Sequence, residues 1–345
     1  MKPRSEQPYP TPLDIRLGLT NPRDVAFPLR WGILGAGRIS SQWVMSLHAC
    51  TGATVTAVAA RDLSRAREFA EQFDIPSAYD NYTDMVSADD VDIVYIGTIT
   101  SLHKEHTLLA IDAGKHVLCE KPLAENITDA QKMYDAAAEK NVMLQDGVWT
   151  RFFPPVEHAR ALVENGSIGD VLVVQSDFFD PIYAIQAAPL GFGSAAKPTA
   201  ITALGQKTGG AIIQYGEDKC AILTFPPKNC ELPEVTELIG TKGRITLQRP
   251  AHSPTRISVR IPPINGVPSQ YRGSNTPAPV QHFEYPIPIS YRMATASPNQ
   301  HGFIYQAEAI HRCLAAGLHQ CPQYNKEESL HSMNLLTEIN ASRFS

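Results

Sequence analysis

The chain has 345 residues, 43% hydrophobic and 19% charged, with a formal net charge of −5. This is enough apolar material for a substantial core and enough length for two domains, while the acidic balance leaves no basic footprint for nucleic acid. The longest apolar runs fall far short of a bilayer crossing, and the opening MKPRSEQPYPTPLD has no apolar stretch of the kind that directs secretion.

Residues 1–27 are rich in Pro, Arg and Asp without a period and read as a tail or surface arm. From Leu29, LRWGILGAGRISSQWVMSLHA reads as a strand, a glycine turn and an amphipathic helix. ATVTAVAARD (53–62) is a second strand, and LSRAREFAEQF a helix with Asp62 as its N-cap. VDIVYIGT is a third strand, apolar on both faces as buried parallel strands are. LHKEHTLLAIDAG is a helix closed by Gly114, HVLCEK a fourth strand, DAQKMYDAAAEK a helix and VMLQDG a fifth strand. Short buried strands alternating with helices predict a doubly wound parallel sheet.

The rhythm breaks near residue 150. FPPVEHARALVENG is one helix, entered at Pro154 and Pro155. DVLVVQSDFF, AITALGQ, GAIIQYG, KCAILTF, EVTELIG, RITLQ and RISVRI follow as strands at a spacing that predicts a mainly antiparallel sheet. Residues 262–300 are dense in Pro, Gly, Ser and Asn and read as a long excursion, before a late helix in HGFIYQAEAIHRCLAAG.

The candidate chemistry begins at Gly32-Ile-Leu-Gly35-Ala-Gly37-Arg38-Ile39-Ser40, between the first strand and first helix. Gly35 permits the tight turn and Gly37 lets the backbone approach a pyrophosphate. Arg38 and Ile39 open a helix whose free N–H groups favour an anion. Ser40 stands where the third Gly or Ala of this fingerprint would be. The strand before, the helix after and the repeating βα pattern make this a dinucleotide site. At the end of the second strand an NAD site carries an acidic residue for the ribose hydroxyls. Here Ala59-Ala60-Arg61-Asp62 places a guanidinium there, suited to two parallel hydrogen bonds with a 2′-phosphate, and Arg65 lies one helical turn on. The expected cofactor is therefore NADP. Thr98 and Thr100, after the third strand, are candidate cofactor contacts on the same sheet edge. No spacing of His, Cys or carboxylates suggests a metal. The six cysteines (Cys50, Cys119, Cys220, Cys230, Cys313, Cys321) form no CxxC pair, as expected of reduced thiols in a cytoplasmic protein.

Glu120-Lys121-Pro122 ends the fourth strand on the edge where open α/β sheets bind ligands. AGKHVLCEKPLA, preceded by LHKEHTLLAI, resembles the Gfo/Idh/MocA oxidoreductases, and WTRFFP (149–154) resembles the branch holding dimeric dihydrodiol dehydrogenase and NADP-dependent D-xylose 1-dehydrogenases. GSIGDV, GTKGRITL and the late helix extend the likeness over roughly residues 29–335. The resemblance implies an N-terminal Rossmann domain (28–148) and a C-terminal α+β substrate-binding and dimerisation domain (149–345). It implies a small-molecule sugar or diol substrate and a homodimer. It places Glu120 and Lys121 beside the nicotinamide, with the ammonium favouring the charged form of an acid/base tyrosine, for which Tyr183 in DPIYAIQ is the match. His103 matches a position that shapes the nicotinamide pocket, Trp149 and Arg151 match the substrate-side WxRF motif, and Asp177 with Phe178 is expected to line the same cleft.

One departure stands out. Relatives of this kind carry a glycine run and an aspartate between the DFF strand and the tyrosine, whereas SDFFDPIYAIQ joins the two almost directly, and Asp180 before Pro181 is no equivalent. Two readings follow: a dehydrogenase acting on a CH–OH group of D-xylose or a cyclic vicinal diol, or a shortened, catalytically impaired chain that binds NADP without turnover.

Overall fold

A computed structural model describes residues 28–50, 52–205, 208–262, 278–287 and 298–344. The tail read over 1–27 and most of the excursion read over 262–300 lie outside these residues. The chain divides into two compact units, Met1–Phe152 with Ile287–Met333, and Phe153–Pro286 with Asn334–Ser345.

The first unit is built on a six-stranded, wholly parallel sheet. Its strands are β1 (Leu29–Leu34), β2 (Ala53–Ala59), β3 (Ser77–Tyr79), β4 (Ile93–Ile96), β5 (His116–Cys119) and β6 (Leu144–Asp146), in the order β3-β2-β1-β4-β5-β6. The order reverses between β1 and β4, which makes that crevice the topological switch point. All four residues of β4 are buried, as a central parallel strand requires. The intervening helices are α1 (Arg38–Leu47), α2 (Leu63–Gln72), α3 (Tyr82–Val86), α4 (Thr100–Asp112) and α5 (Ile127–Glu139). β3 and α3 have no counterpart among the predicted elements. Three half-buried residues and a single five-residue helix are too short to carry a period.

The late helix α9 (Phe303–Ala315) belongs to this unit, although the sequence boundary at 148/149 separates it from the parallel sheet. Aromatic packing explains the difference. The Phe303 ring meets Trp43 of α1 at 5.5 Å and Trp149 at 4.4 Å, and Trp43 stacks on Tyr95 of β4 at 5.0 Å. Trp31 Nε1 donates to His311 Nε2 at 3.1 Å. Burial pushes the His311 imidazole down to about 4, which keeps it neutral and able to accept that bond. Gln145, next to the end of β6, donates to the Tyr324 carbonyl and accepts from Cys321 N, fixing the following segment to the same sheet.

The second unit carries eight strands: β7 (Val171–Asp177), β8 (Ala200–Leu204), β9 (Gly209–Tyr215), β10 (Lys219–Phe225), β11 (Thr236–Gly240), β12 (Arg244–Leu247), β13 (Arg256–Arg260) and β14 (Val280–Glu284). They run in the order β14-β13-β12-β11-β7-β10-β9-β8, antiparallel except where β7 meets β10. β14 was read as part of the excursion because Pro-rich stretches flank it on both sides. Helices α6 (Pro154–Glu164), α7 (Pro181–Ile185) and α8 (Ala187–Phe192) belong to this unit. α8 sits so close to the sheet that a Cβ on Gly191 would meet Val174 Cγ2 at 2.5 Å. The inner positions, such as Ala211, Ile213, Ala221 and Leu223, are buried, while Leu204, Ile212 and Ile222 stay exposed on the outer face. The closing helix α10 (Lys326–Phe344) is shared by both units.

Candidate active site

The glycine turn after β1 forms one wall of a cleft of about 550 Å³ at the switch point. Gly35 adopts φ +103°, a conformation an L side chain rarely takes, and its N–H donates to Ala59 O at 2.9 Å. Beside Gly37 only Gly97 O comes within reach of an added Cβ, at 3.8 Å, so the backbone there stands open to a ligand. The slot at Ser40 is resolved by a glycine on another element. A Cβ on Gly97, directly after β4, would collide with Ser40 Oγ and meet the Tyr95 ring at 2.8 Å. Ser40 Oγ itself donates to Gly35 O at 2.5 Å, stapling the turn to α1. The close helix–strand approach that a third glycine usually permits is thus provided from the strand side.

Arg61, Asp62, Arg65, Tyr82, Thr98 and Ile99 also line the cleft. The Asp62 carboxylate accepts through Oδ1 from Ser64 N at 2.8 Å and Arg65 N at 3.2 Å, so it caps α2 as expected. Arg65 Nη2 reaches back to Ala36 O in the glycine turn at 3.2 Å. Burial raises the Tyr82 phenol pKa, while the charges of Arg61 and Arg65 pull it down. An open backbone cradle with two cations lining the same cleft fits an anionic dinucleotide.

The Lys121–Pro122 peptide is cis. Glu120 beside it is buried and accepts from the Tyr95 hydroxyl at 2.7 Å. His103 is buried with both ring nitrogens on carbonyls, Nδ1 at 2.9 Å from Pro122 O and Nε2 at 3.1 Å from Thr98 O. It sits between the lysine turn and the loop after β4; burial lowers its pKa, and the neutral ring donates to one of the two carbonyls. Thr98 lines the cleft with its hydroxyl on His106 Nδ1 at 3.1 Å. Thr100 opens α4.

Sequence reasoning passed over Asp146, at the end of β6 opposite Cys119. It is completely buried, with Oδ2 accepting from Ser329 Oγ at 2.6 Å and Oδ1 without a hydrogen-bond partner among the described residues. Burial pushes this carboxyl up to about 7. The Ser329 hydrogen bond lowers it, the Glu120 charge adds to the rise, and the Lys121 ammonium opposes it. A carboxylate closing a strand on the ligand-binding edge is the signal that could have found it.

The three substrate candidates each have partners within the protein. Arg151 is fully enclosed, with Nη2 2.6 Å from Glu328 Oε1 and its guanidinium over the Tyr324 ring, so its charge is matched internally. Trp149 is buried in packing against Phe303. Asp177 accepts from Glu234 N at 2.7 Å and Val235 N at 3.1 Å, which occupies both its oxygens. An aromatic–cation motif read from spacing alone does not distinguish a ligand wall from a core.

In the second unit Tyr183 lies on the five-residue helix α7, which follows β7 with Asp180 at its N-cap position and Pro181 in its first turn. Its ring is half-buried and meets Phe178 at 5.1 Å and His252 at 5.6 Å, both edge-on. Among the described residues no group of three or more His, Cys, Asp or Glu could hold a metal ion, and no helix is long and apolar enough to cross a membrane. All six cysteines are free thiols.

The sheet order, the glycine cradle and the strand-end lysine define a nicotinamide-dinucleotide-binding oxidoreductase class. Comparison with known proteins agrees: residues 29–148 match the profile of the oxidoreductase family with an NAD-binding Rossmann fold. The chain is 33% identical over 346 residues to the trans-1,2-dihydrobenzene-1,2-diol dehydrogenase of Bos taurus, covering 90% of this chain and 96% of that one. Against the Homo sapiens enzyme of the same name it is 30% identical, with the same coverage. The chain belongs to the Gfo/Idh/MocA oxidoreductase family, in its dihydrodiol dehydrogenase branch. Two solved structures share the fold. One is a 3-ketoreductase from Actinomadura kijaniata in complex with NADP (TM-score 0.72, 24% identity, 92% of this chain and 98% of that chain). The other is a levoglucosan dehydrogenase in complex with NADH and levoglucosan (TM-score 0.74, 18% identity, 91% and 97%).

Proposed function

We propose that the chain is an NADP-dependent dehydrogenase that oxidises a secondary hydroxyl of a cyclic vicinal diol or, at C1, of a sugar such as D-xylose. The observation that carries the cofactor choice is Arg61 and Arg65 on the wall of the cleft, with Asp62 serving as a helix cap. The name shared by the branch's relatives supports the diol first. NADP supplies the hydride acceptor when bound. Gly35, Gly37 and the start of α1 hold its pyrophosphate, and the Arg61 guanidinium takes the 2′-phosphate. Tyr183 accepts the hydroxyl proton, and the Lys121 ammonium favours the phenolate that accepts it. The test is NADPH formation from a cyclic trans-diol and from D-xylose. Turnover with either supports the reading, and absence of turnover with both, at saturating NADP, removes it.

A second reading is favoured by one observation, the immediate passage from β7 into the short helix that bears Tyr183. On that reading the chain binds NADP and does not turn over. NADPH fluorescence enhancement without product formation is its signature.

The reading also includes a cytoplasmic homodimer that pairs through the outer face of the eight-stranded sheet. Leu204, Ile212 and Ile222 support it, because they are large apolar side chains exposed at 72%, 53% and 36% on neighbouring strands. Sedimentation at micromolar concentration is expected to show a dimer that Ile212→Lys dissociates; a wild-type monomer would refute it.

A further inference from the structure

Tyr183 does not face an ordinary loop. The end of β7, the start of β11 and the end of β12 share one edge of the eight-stranded sheet, and the segments leaving that edge converge on the tyrosine. The convergence is organised around Glu234. This residue has φ +53°, a left-handed conformation that a residue with a Cβ rarely adopts. It is held there because Asp177 accepts both its N–H and that of Val235, and because its carbonyl accepts from Ala251 N at 3.1 Å. The backbone contortion aims the Glu234 carboxylate at the segment after β12, where Oε1 pairs with His252 Nδ1 and Oε2 lies 3.8 Å from Arg249 Nε. The other imidazole nitrogen, Nε2, lies 3.3 Å from Ser253 Oγ. His252 is thus anchored at both nitrogens. One side of the ring packs on Phe178 at 4.6 Å and it meets Tyr183 at 5.6 Å.

A carboxylate on Nδ1 fixes the plane of an imidazole and which nitrogen carries the proton. We infer that Glu234 and His252 form a positioning pair for Tyr183. The carboxylate locks the imidazole, and the locked imidazole with Phe178 sets the angle of the phenol. This rests on the acid/base role proposed for Tyr183 and adds residues that neither spacing nor the family match singled out. It also gives Asp177 a task. Read from sequence as a substrate contact, it is the capping group that holds Glu234 in its left-handed conformation.

The test labels the full chain with 3-fluorotyrosine and assigns the Tyr183 ¹⁹F resonance with Tyr183→Phe. Glu234→Gln keeps the side-chain volume and touches His252 but not the tyrosine ring. It is expected to move or broaden the Tyr183 resonance, in the same direction as His252→Ala, with the other tyrosine resonances in place. His252→Phe, a ring without anchors, is expected to fall between wild type and His252→Ala. In turnover, Glu234→Gln and His252→Ala are expected to lower kcat by about 10- to 100-fold, as small misplacements of a reacting group do, with KM for NADP unchanged. A Tyr183 resonance unmoved by Glu234→Gln in a folded chain overturns the inference. If Tyr183→Phe keeps full turnover, the acid/base role falls instead, and the ¹⁹F result still decides whether the pair positions the ring.

Discussion

In the first unit the cleft is shaped by missing side chains, and in the second the surroundings of Tyr183 are made by side chains that meet. Gly35 and Gly97 matter because a Cβ on either would strike Thr98, Tyr95 or Ser40. The cradle they leave is a property of backbone geometry, set by the turns after β1 and β4. Tyr183, by contrast, is framed by Phe178, His252, Glu234 and Asp177, which come from three separate segments. A dinucleotide cleft is met by a standard backbone device, whereas the surroundings of the proposed acid/base tyrosine are built from side-chain contacts.

The comparison can be broken at several points. Lys121→Met is expected to lower kcat/KM by about a thousandfold, the scale of removing a partner in general acid–base catalysis, while NADPH binding measured by fluorescence changes little. Equal loss of both would make the lysine a cofactor anchor only. Gly97→Ala should destabilise the first unit by about 2–3 kcal/mol through overpacking against Ser40 and Tyr95. Adding Ser40→Ala should recover part of that in urea unfolding, and a fully additive pair would show that the two residues do not compete for space.

Asp146 gives a prediction with a pH sign. Burial pushes its native carboxyl up to about 7, above the ordinary carboxylate range of the unfolded chain, so between these the native state binds the extra proton and stability falls as pH rises. Asp146→Asn keeps an acceptor for Ser329 and removes the buried charge. It is expected to stabilise the protein by about 4 kcal/mol more at pH 8 than at pH 4, read from urea midpoints. An equal effect at both pH values would mean the carboxyl is ionised at no cost. Smaller again, Arg61→Ala should weaken NADP by about tenfold, the worth of a hydrogen bond to a charged group, and leave NAD within a factor of about two. Equal loss for both dinucleotides would remove the 2′-phosphate assignment.

These residues also show why parts of the molecule were legible in sequence. The parallel sheet could be read from β4, apolar on both faces, and from glycines at fixed spacing. Asp62 was identifiable as a cap because its partners are two and three residues away. β3 and α3 were too short to carry a period, and β14 hid among prolines. Arg151 and Trp149 matched a motif that gives residue types but not what lies behind them, and Glu328 and Phe303, which enclose them, are far off in sequence. His252 and Glu234 are 18 residues apart with no periodic relation, so only folding brings them to Tyr183.

The most direct test of the account is the rate of NADPH formation from a cyclic trans-diol by wild type and Tyr183→Phe, each saturated with NADP. Wild type is expected to turn over. The phenylalanine variant should be slower by about a hundredfold or more with unchanged affinity for NADP. Equal rates for the two would contradict the account, because the proton would then be leaving by a route in which Tyr183 has no part.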